Sequence, residues 1–144
     1  MKILILGVNG FIGNALAKRL LKKKIDVYGF DLFNFNIVDI LEKKNFFFKR
    51  GNIFNSHKYL QSLIKKVDIV VPLIAIATPN VYIKDPLRIF HLDFEENLKI
   101  IKICAKYNKR IIFPSTSEVY GMNNEKKFDE YDSNLVLGPI TKNR

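Results

Sequence analysis

The stretch Ile3-Leu4-Ile5-Leu6-Gly7-Val8-Asn9-Gly10-Phe11-Ile12-Gly13 decides the fold of this chain. Its apolar run predicts a short buried strand, and the glycine turn behind it leads into a segment of helical periodicity. In such a turn the glycines permit a tight bend, a close approach of backbone to phosphate, and packing of helix on strand. The stretch therefore predicts a dinucleotide site, with contacts from Gly7, Asn9, Gly10, Phe11, Ile12 and Gly13.

Short apolar runs alternate with longer helix-period segments along the rest of the chain, which is typical of a parallel sheet covered on both faces. Strands are predicted at Lys2–Leu6, Asp26–Phe30, Phe46–Lys49, Asp68–Pro72 and Arg110–Pro114. Right-handed crossovers then give the order 3-2-1-4-5, a doubly wound α/β sheet of the Rossmann type. We expect all 144 residues to form one such domain.

Helices are predicted between these strands. The first spans about Phe11–Lys23, and a shorter one covers Asn34–Lys44. Ser56 is a candidate cap for a helix that runs to about Lys66. A long helix is predicted from Pro86, after the candidate cap Asp85, to about Tyr107, with Ile89, Leu92, Leu98, Ile101 and Ile103 as its apolar positions.

The formal net charge of +10 raises the question of a nucleic-acid partner. The lysines, however, come in short clusters at predicted helix ends, where they meet the negative end of the helix dipole. No basic stripe with interleaved aromatic residues accompanies them. We therefore expect no nucleic-acid partner.

The single cysteine, Cys104, cannot form a disulfide within the chain and is expected to be a small buried residue in a reducing compartment. The apolar run before Gly7 is too short to span a membrane, so a cytoplasmic protein without a membrane partner is predicted. His57 and His91 lack the spacing of metal ligands, and no metal site is expected.

Ligands of such a sheet bind beyond the carboxyl ends of the strands. Asp31 ends the second strand, where a carboxylate accepts hydrogen bonds from the adenosine ribose and repels a 2′-phosphate, which favours NAD over NADP. Asn52 can accept from the adenine amino group, with Ile53 beside it, and Ala75 follows the fourth strand. Asp31 and Asn52 are also ordinary turn residues, and that alternative stays open.

A polar cluster follows the fifth strand. Thr116, Ser117 and Glu118 place two hydroxyls and a carboxylate where a substrate oxygen can be bound and a proton moved, so they are the predicted catalytic residues. The alternative for these residues is a capped turn.

The segments LILGVNGFIGN, PLIAIATP, PLRIFHLDFEENLKIIKICAKYNKRIIFPSTSEVYG and FDE together resemble the extended short-chain dehydrogenase/reductase superfamily of NAD-dependent epimerases and dehydratases. Within it they are most similar to the UDP-glucuronic acid decarboxylase domains of bifunctional polymyxin-resistance proteins. The resemblance extends over essentially all 144 residues and corresponds to the nucleotide-binding first part, less than half, of such a domain.

The resemblance implies an NAD-dependent oxidation at carbon 4 of UDP-glucuronic acid. The new ketone lies beta to the carboxylate, so carbon dioxide leaves and a UDP-4-keto-pentose forms, on the route to 4-amino-4-deoxy-arabinose for lipid A. By position, the glycines, Asp31, Asn52 and Ile53 match cofactor contacts, and Glu118 matches the acid/base carboxylate. Substrate contacts are matched by Ala77, Tyr82, Thr116, Ser117 and Arg144.

Two departures from the family pattern qualify this expectation. Asn52 stands where the family usually carries Asp, which predicts weaker adenine binding. The superfamily's Tyr-x-x-x-Lys pair is absent, because none of the six tyrosines has Lys four residues later. We expect the sequence to be part of a longer domain and to lack turnover by itself.

Two alternatives remain. The chain can be part of a UDP-xylose synthase or of a nucleotide-sugar epimerase or dehydratase, because a Thr-x-Glu-Val-Tyr-Gly stretch occurs there too. It can also be a non-catalytic NAD-binding module. Apolar surface left uncovered would favour association, either between copies of the chain or with a complementary C-terminal part.

Overall fold

The computed structural model describes residues 1–137, which fall into two units divided after Phe113. The first unit is built on a five-stranded parallel sheet in the order β3-β2-β1-β4-β5, so the predicted fold is confirmed. The strands are β1 (Lys2–Leu6), β2 (Asp26–Asp31), β3 (Phe46–Arg50), β4 (Ile69–Pro72) and β5 (Arg110–Ile111).

Strand β5 is shorter than the predicted Arg110–Pro114. Only Arg110 and Ile111 pair with β4, and one further bond joins the Ile112 amide to the Val70 carbonyl at 3.0 Å. Ile112 and Phe113 are about half exposed. Because β5 lies at the edge of the described sheet, pairing from one side alone supports it.

The helices are α1 (Phe11–Lys22), α2 (His57–Ile64), α3 (Pro79–Lys84), α4 (Pro86–Ile89) and α5 (Asn97–Lys106). Helix α1 ends close to its predicted position, while α3 was not predicted. The predicted helix over Asn34–Lys44 is wrong, because only a 3₁₀ turn at Val38–Ile40 forms there. Asn36 accounts for the difference, since its backbone and side chain are engaged by Asn9 and hold a turn at this point, which the Ile37 amide closes on the Asn34 carbonyl at 3.2 Å.

The predicted long helix is interrupted. Between α4 and α5 the segment Phe90–Glu96, called the π segment below, is wound as a π-helix. Asp85 caps α4 as predicted, accepting from the Arg88 amide at 3.2 Å. Ile89, a predicted apolar position before the wider turn, is buried. The wider turn changes which later residues face the sheet, so the predicted positions Leu92, Leu98, Ile101 and Ile103 are half-buried, and the buried residues there are Glu96, Asn97, Ile100 and Cys104.

The capping prediction for Ser56 is also wrong in part. Ser56 occupies the N-cap position of α2, but its hydroxyl makes no capping hydrogen bond. Its backbone angles (φ −115°, ψ 16°) lie outside the extended region in which an N-cap side chain normally reaches the first-turn amides.

Two apolar layers cover the sheet of the first unit. One contains Phe30 and Leu60 and receives α2 and α5, and the other contains Ile5 and Ala17 and receives α1. Cys104 is buried in the first layer as predicted, and burial raises the pKa of its thiol. The sheet is thereby fixed from both faces, with its carboxyl edge left open for a site.

The second unit is described over Pro114–Leu137. It contains a 3₁₀ turn at Ser117–Tyr120 and a single bridge between Gly121 and Val136, and Tyr120 stacks on Phe128 with ring centroids 4.6 Å apart. None of these residues is buried. Across residues 1–137, no helix has the length and apolar character that crossing a membrane requires, and no His, Cys, Asp and Glu side chains cluster as a metal site.

Candidate functional site

A cavity of about 460 Å³ opens at the carboxyl ends of the first four strands. Loops after β1, β2, β3 and β4 form its walls, and α4 with the π segment contributes one side. The lining brings together seven of the predicted cofactor residues: Gly7, Asn9, Gly10, Asp31, Asn52, Ile53 and Ala75.

The glycine turn has no room for side chains at two positions. Gly7 has φ +84°, and a Cβ there would lie 3.0 Å from the Leu73 carbonyl group. A Cβ on Gly13 would collide with the Gly7 carbonyl oxygen and approach the Val8 Cα to 2.9 Å. These glycines therefore serve the fold itself, by letting α1 pack against the end of β1.

Gly10 differs from them. Its backbone angles (φ −69°, ψ 167°) suit any residue, and a Cβ would meet only the Gly7 carbonyl oxygen at 3.3 Å. Gly10 lines the cavity and is the N-cap of α1, where no side chain caps the helix and no acidic residue occupies the first turn. The missing side chain at Gly10 thus keeps the positive end of α1 open to an anion, as a pyrophosphate requires.

The other three predicted residues of the turn do not line the cavity. The side chains of Phe11 and Ile12 are 93% and 63% exposed, and neither lines the cavity. Gly13 is buried beneath the turn. If these three residues contact a ligand, their backbone amides are the groups that remain for it.

Asp31 stands at the end of β2 on the cavity wall. One carboxylate oxygen, Oδ2, accepts from the Asn9 amide at 2.9 Å, and Oδ1 accepts from the Phe33 amide at 3.3 Å. These bonds fix the carboxylate beside the glycine turn. Each carboxylate oxygen still has a second lone pair, so a diol can bind to the same group.

A network of asparagines ties the turn to the loop after β2. The buried Asn9 accepts from the Asn36 amide at 2.8 Å through Oδ1, and Asn36 donates from Nδ2 to the Asn9 carbonyl at 2.9 Å. Asn14 in α1 donates to the Asn36 carbonyl at 2.7 Å. Sequence reasoning missed Asn36 and Asn14, because nothing in the residue spacing connects them to Asn9.

Asn52 lines the cavity, but its side chain is hydrogen-bonded within its own turn. Its Oδ1 accepts from the Phe54 amide at 3.1 Å and so caps the 3₁₀ turn Ile53–Asn55. Ile53 packs inward and is 4% exposed. The turn-forming alternative for Asn52 is therefore realised, and one lone pair of Oδ1 is left for any other donor.

Side chains of the π segment and of α5 hold the loop after β4 in place. Asp93 accepts from the Ile76 amide at 3.1 Å, and the buried Asn97 donates from Nδ2 to the Ile74 carbonyl at 3.3 Å. Burial raises the pKa of Asp93 against the opposing hydrogen bond from Ile76. Ala75 stays at the cavity, whereas Ala77 is exposed, Tyr82 is 44% exposed, and neither lines it.

Sequence reasoning also missed other side chains of the lining, among them Phe35, Phe54, Arg88 and Leu92. Leu92 was predicted only as an apolar helix position. The other three lie in loops or on an exposed helix face, where the sequence carries no periodic signal. Arg88 is the cationic side chain among the lining residues, and it adds a positive charge to a site suited to an anion.

A buried carboxylate with two partly exposed partners supports the helical side of the site. Glu96, 2% exposed, accepts from Lys99 Nζ and pairs with His57 Nε2, both at 2.6 Å. Burial raises the pKa of Glu96, but the hydrogen bonds and charges of Lys99 and His57 outweigh it and hold that pKa below its usual value. The cluster ties the beginning of α2 to the end of the π segment.

The predicted catalytic residues belong to the second unit. Thr116 Oγ1 accepts from the Glu118 amide at 3.3 Å and caps the 3₁₀ turn, so the capped-turn alternative is present for Thr116. Ser117 and Glu118 are exposed. The predicted substrate residue Arg144 lies outside the described residues.

Comparisons with known proteins identify relatives of this arrangement. The sequence model of the NAD dependent epimerase/dehydratase family matches residues 3–142. The PbgP3 protein from Burkholderia pseudomallei is similar at 46% identity and a TM-score of 0.90, over 96% of this chain and 42% of that one.

Two more distant structures share the fold. The UDP-Glc/GlcNAc 4-epimerase of Campylobacter jejuni matches at 22% identity and a TM-score of 0.82, over 94% of this chain and 43% of that one. The dTDP-glucose 4,6-dehydratase of Bacillus anthracis, solved in complex with NAD, matches at 23% and 0.77, over 96% of this chain and 45% of that one. The chain thus spans less than half the length of these structures.

Proposed function

The chain belongs to the NAD-dependent epimerase/dehydratase family, and from that premise we propose that it is the NAD-binding part of an oxidative decarboxylase of UDP-glucuronic acid. One observation carries the cofactor assignment. A single cavity unites the glycine turn, the open N-terminus of α1 and the carboxylate of Asp31.

The residues present fit a dinucleotide. Gly10 and the first-turn amides of α1 would hold the pyrophosphate, and Asp31 would hold the adenosine ribose. Bound NAD would supply the hydride acceptor for oxidation of the sugar. Because the Asp31 carboxylate is fixed by Asn9 and Phe33, it cannot turn away from a 2′-phosphate, and repulsion would disfavour NADP.

The substrate assignment rests on the resemblance of the sequence to UDP-glucuronic acid decarboxylases. We assign proton transfer to Glu118, substrate hydrogen bonds to Thr116 and Ser117, and further contacts to Ala77, Tyr82 and Arg144. A ketone at carbon 4 would lie beta to the sugar carboxylate, so the electrons of the breaking carbon–carbon bond can enter that ketone as an enolate when carbon dioxide leaves, and a proton then completes the UDP-4-keto-pentose.

The cofactor assignment is tested by calorimetric titration of the chain with NAD and NADP. We expect NAD to bind and NADP to bind at least about tenfold more weakly. The variant Asp31→Asn keeps an acceptor for the Asn9 amide but removes the charge, so it should lose most of that preference. Asp26→Asn, at the opposite end of the same strand, is the matched control. Absence of NAD binding, or equal binding of NADP, would refute the assignment.

The reaction is tested by incubating the chain with NAD and UDP-glucuronate and following NADH. No Tyr-x-x-x-Lys pair occurs in the sequence, so we expect binding without turnover. Addition of the corresponding C-terminal part of a relative should restore NADH formation together with a UDP-4-keto-pentose. UDP-xylose with NAD regenerated would instead identify a xylose synthase.

A further inference from the structure

We propose that Phe35 and Phe54 form an aromatic pair that stacks on the adenine base, and that Asn52 acts by positioning Phe54. This inference rests on the proposed NAD site and specifies how its adenosine end is recognised. The observations that carry it are the placement of the two rings, their exposure and the engagement of Asn52.

The two rings lie where the base is expected. Phe35 follows β2 and Phe54 follows β3, and these strands are neighbours, with Asp31 paired to Arg50 at their carboxyl ends. Both rings line the cavity that contains Asp31. A ribose held by Asp31 would therefore place its base beside these two loops.

Both rings are more exposed than large apolar side chains in a folded core. Phe35 is 66% exposed and Phe54 is 39% exposed. A purine has a flat π-face that covers such rings, and stacking of a base on an aromatic side chain changes affinity by roughly 5- to 150-fold. The chemistry of this wall thus suits adenine better than it suits a phosphate or a sugar.

Asn52 controls one of the rings through the backbone. Its Oδ1 accepts from the Phe54 amide, and the Asn55 amide donates to the Asn52 carbonyl at 3.1 Å, which closes the 3₁₀ turn. The direction of the Phe54 side chain therefore depends on an acceptor at position 52. Asp provides the same acceptor, whereas Leu has a similar size and provides none.

The rings are tested by titrating full-length variants with AMP. We expect Phe35→Ala and Phe54→Ala each to weaken AMP binding about tenfold. Phe47→Ala is the matched control, because Phe47 is 46% exposed and does not line the cavity. Binding of nicotinamide mononucleotide, which has no adenine, should be the same in all three variants.

The role of Asn52 is tested by comparing AMP with IMP, which lacks the amino group. If Asn52 positions Phe54, Asn52→Leu should weaken both nucleotides equally and Asn52→Asp should restore them. A loss confined to AMP would show that Asn52 reads the amino group directly, and it would overturn the positioning role.

The outcomes separate this inference from the proposed function. If the wild-type chain binds neither NAD nor AMP, both are refuted. If it binds NAD but the Phe35 and Phe54 variants bind AMP as Phe47→Ala does, the aromatic pair is refuted and the NAD site stands. Circular dichroism of each variant confirms that it is folded, so that unchanged or weakened binding is interpretable.

Discussion

Different interactions stabilise residues 1–113 and residues 114–137. The first region encloses a parallel sheet between two apolar layers, and residues such as Leu4 and Phe30 are almost fully buried. The second has no buried residue, and its turns are held by exposed polar groups, for example Glu125, which accepts from Asn123 at 3.0 Å. The predicted cofactor contacts lie in the region with a core, whereas Thr116, Ser117 and Glu118 lie in the region without one.

The difference predicts how strongly substitutions in each region change the free energy of folding. Burial of apolar surface dominates folding free energy, while exposed hydrogen bonds contribute little net stability. The geometry of the candidate cavity is therefore secured by the core of residues 1–113. The following predictions test this contrast, beginning with the largest expected effect.

A substitution that forces a Cβ against the backbone should reduce stability much more in the first region than in the second. A Cβ at Gly13 collides with the Gly7 carbonyl oxygen, and a Cβ at Gly121 collides with the Val136 carbonyl oxygen. We expect Gly13→Ala to lower the free energy of unfolding by about 3 kcal/mol or more in urea titrations. Gly121→Ala should change it by less than about 0.5 kcal/mol. Similar losses in both variants would contradict the contrast.

Two carboxylates with lowered pKa values provide the next comparison. We expect Glu96→Gln to destabilise the protein by about 2 kcal/mol at pH 7, because it removes the buried charge and replaces one of the two acceptor oxygens that meet Lys99 and His57 with a donor. The pKa of Glu96 is lowered on folding, so its stabilisation is present above the unfolded pKa and is lost as pH falls through the folded value. The difference between wild type and variant should therefore shrink below about pH 4.

The matched variant is Glu125→Gln. Hydrogen bonds from Ser133 and Asn123 lower the pKa of Glu125, but this carboxylate is fully exposed. The acid-induced unfolding curve of this variant should superimpose on that of the wild type. A shift as large as that of Glu96→Gln would show that the second region contributes to the cooperative unit.

Gly10→Ala should separate binding from stability within the first region. Its Cβ would meet only one carbonyl oxygen at 3.3 Å, and its backbone angles suit alanine. We expect a change of about 1 kcal/mol or less in unfolding free energy, together with a clear loss of NAD affinity in calorimetry. If Gly10→Ala unfolds as readily as Gly13→Ala, the glycine serves the fold and the argument for ligand approach is wrong.

The smallest effect is expected from cutting the second region. Lys126 and Lys127 are exposed, so limited trypsin treatment should cleave there first. The melting temperature of the remaining sheet should stay unchanged, and Cys104 should remain unreactive to a thiol reagent, because it is buried and its pKa is raised. Rapid modification of Cys104 after cleavage would contradict this expectation.

The sheet could be predicted from the sequence because its strands are short, apolar and separated by helix-length segments. The prediction failed where a long-range contact overrides local preference. Asn9 holds Asn36 and prevents a helix over Asn34–Lys44. The edge strand β5 ends early, since it is paired on one side only within the described sheet.

The residues of the candidate site also divide into those that the sequence predicted and those that it did not. Gly7, Gly10 and Asp31 were identified because the spacing of the motif expresses their roles, and they do line one cavity. Phe35 and Phe54 were not, because an exposed aromatic residue in a loop has no periodicity that distinguishes it from its neighbours. Asn52 was expected to face a ligand, but the local turn that engages its Oδ1 is a short-range preference of asparagine.

The π segment has a consequence for how sequence length can change in this part of the protein. Each residue of an α-helix turns the chain by about 100°, and a π turn accommodates one residue more than an α turn. Deleting a single codon within Phe90–Glu96 would let the segment rewind as regular α-helix. Because the wider turn is what absorbs the extra residue, Pro86–Ile89 and Asn97–Lys106 would keep their orientation about the helix axis, and Arg88 would stay on the cavity wall while the sheet kept its order.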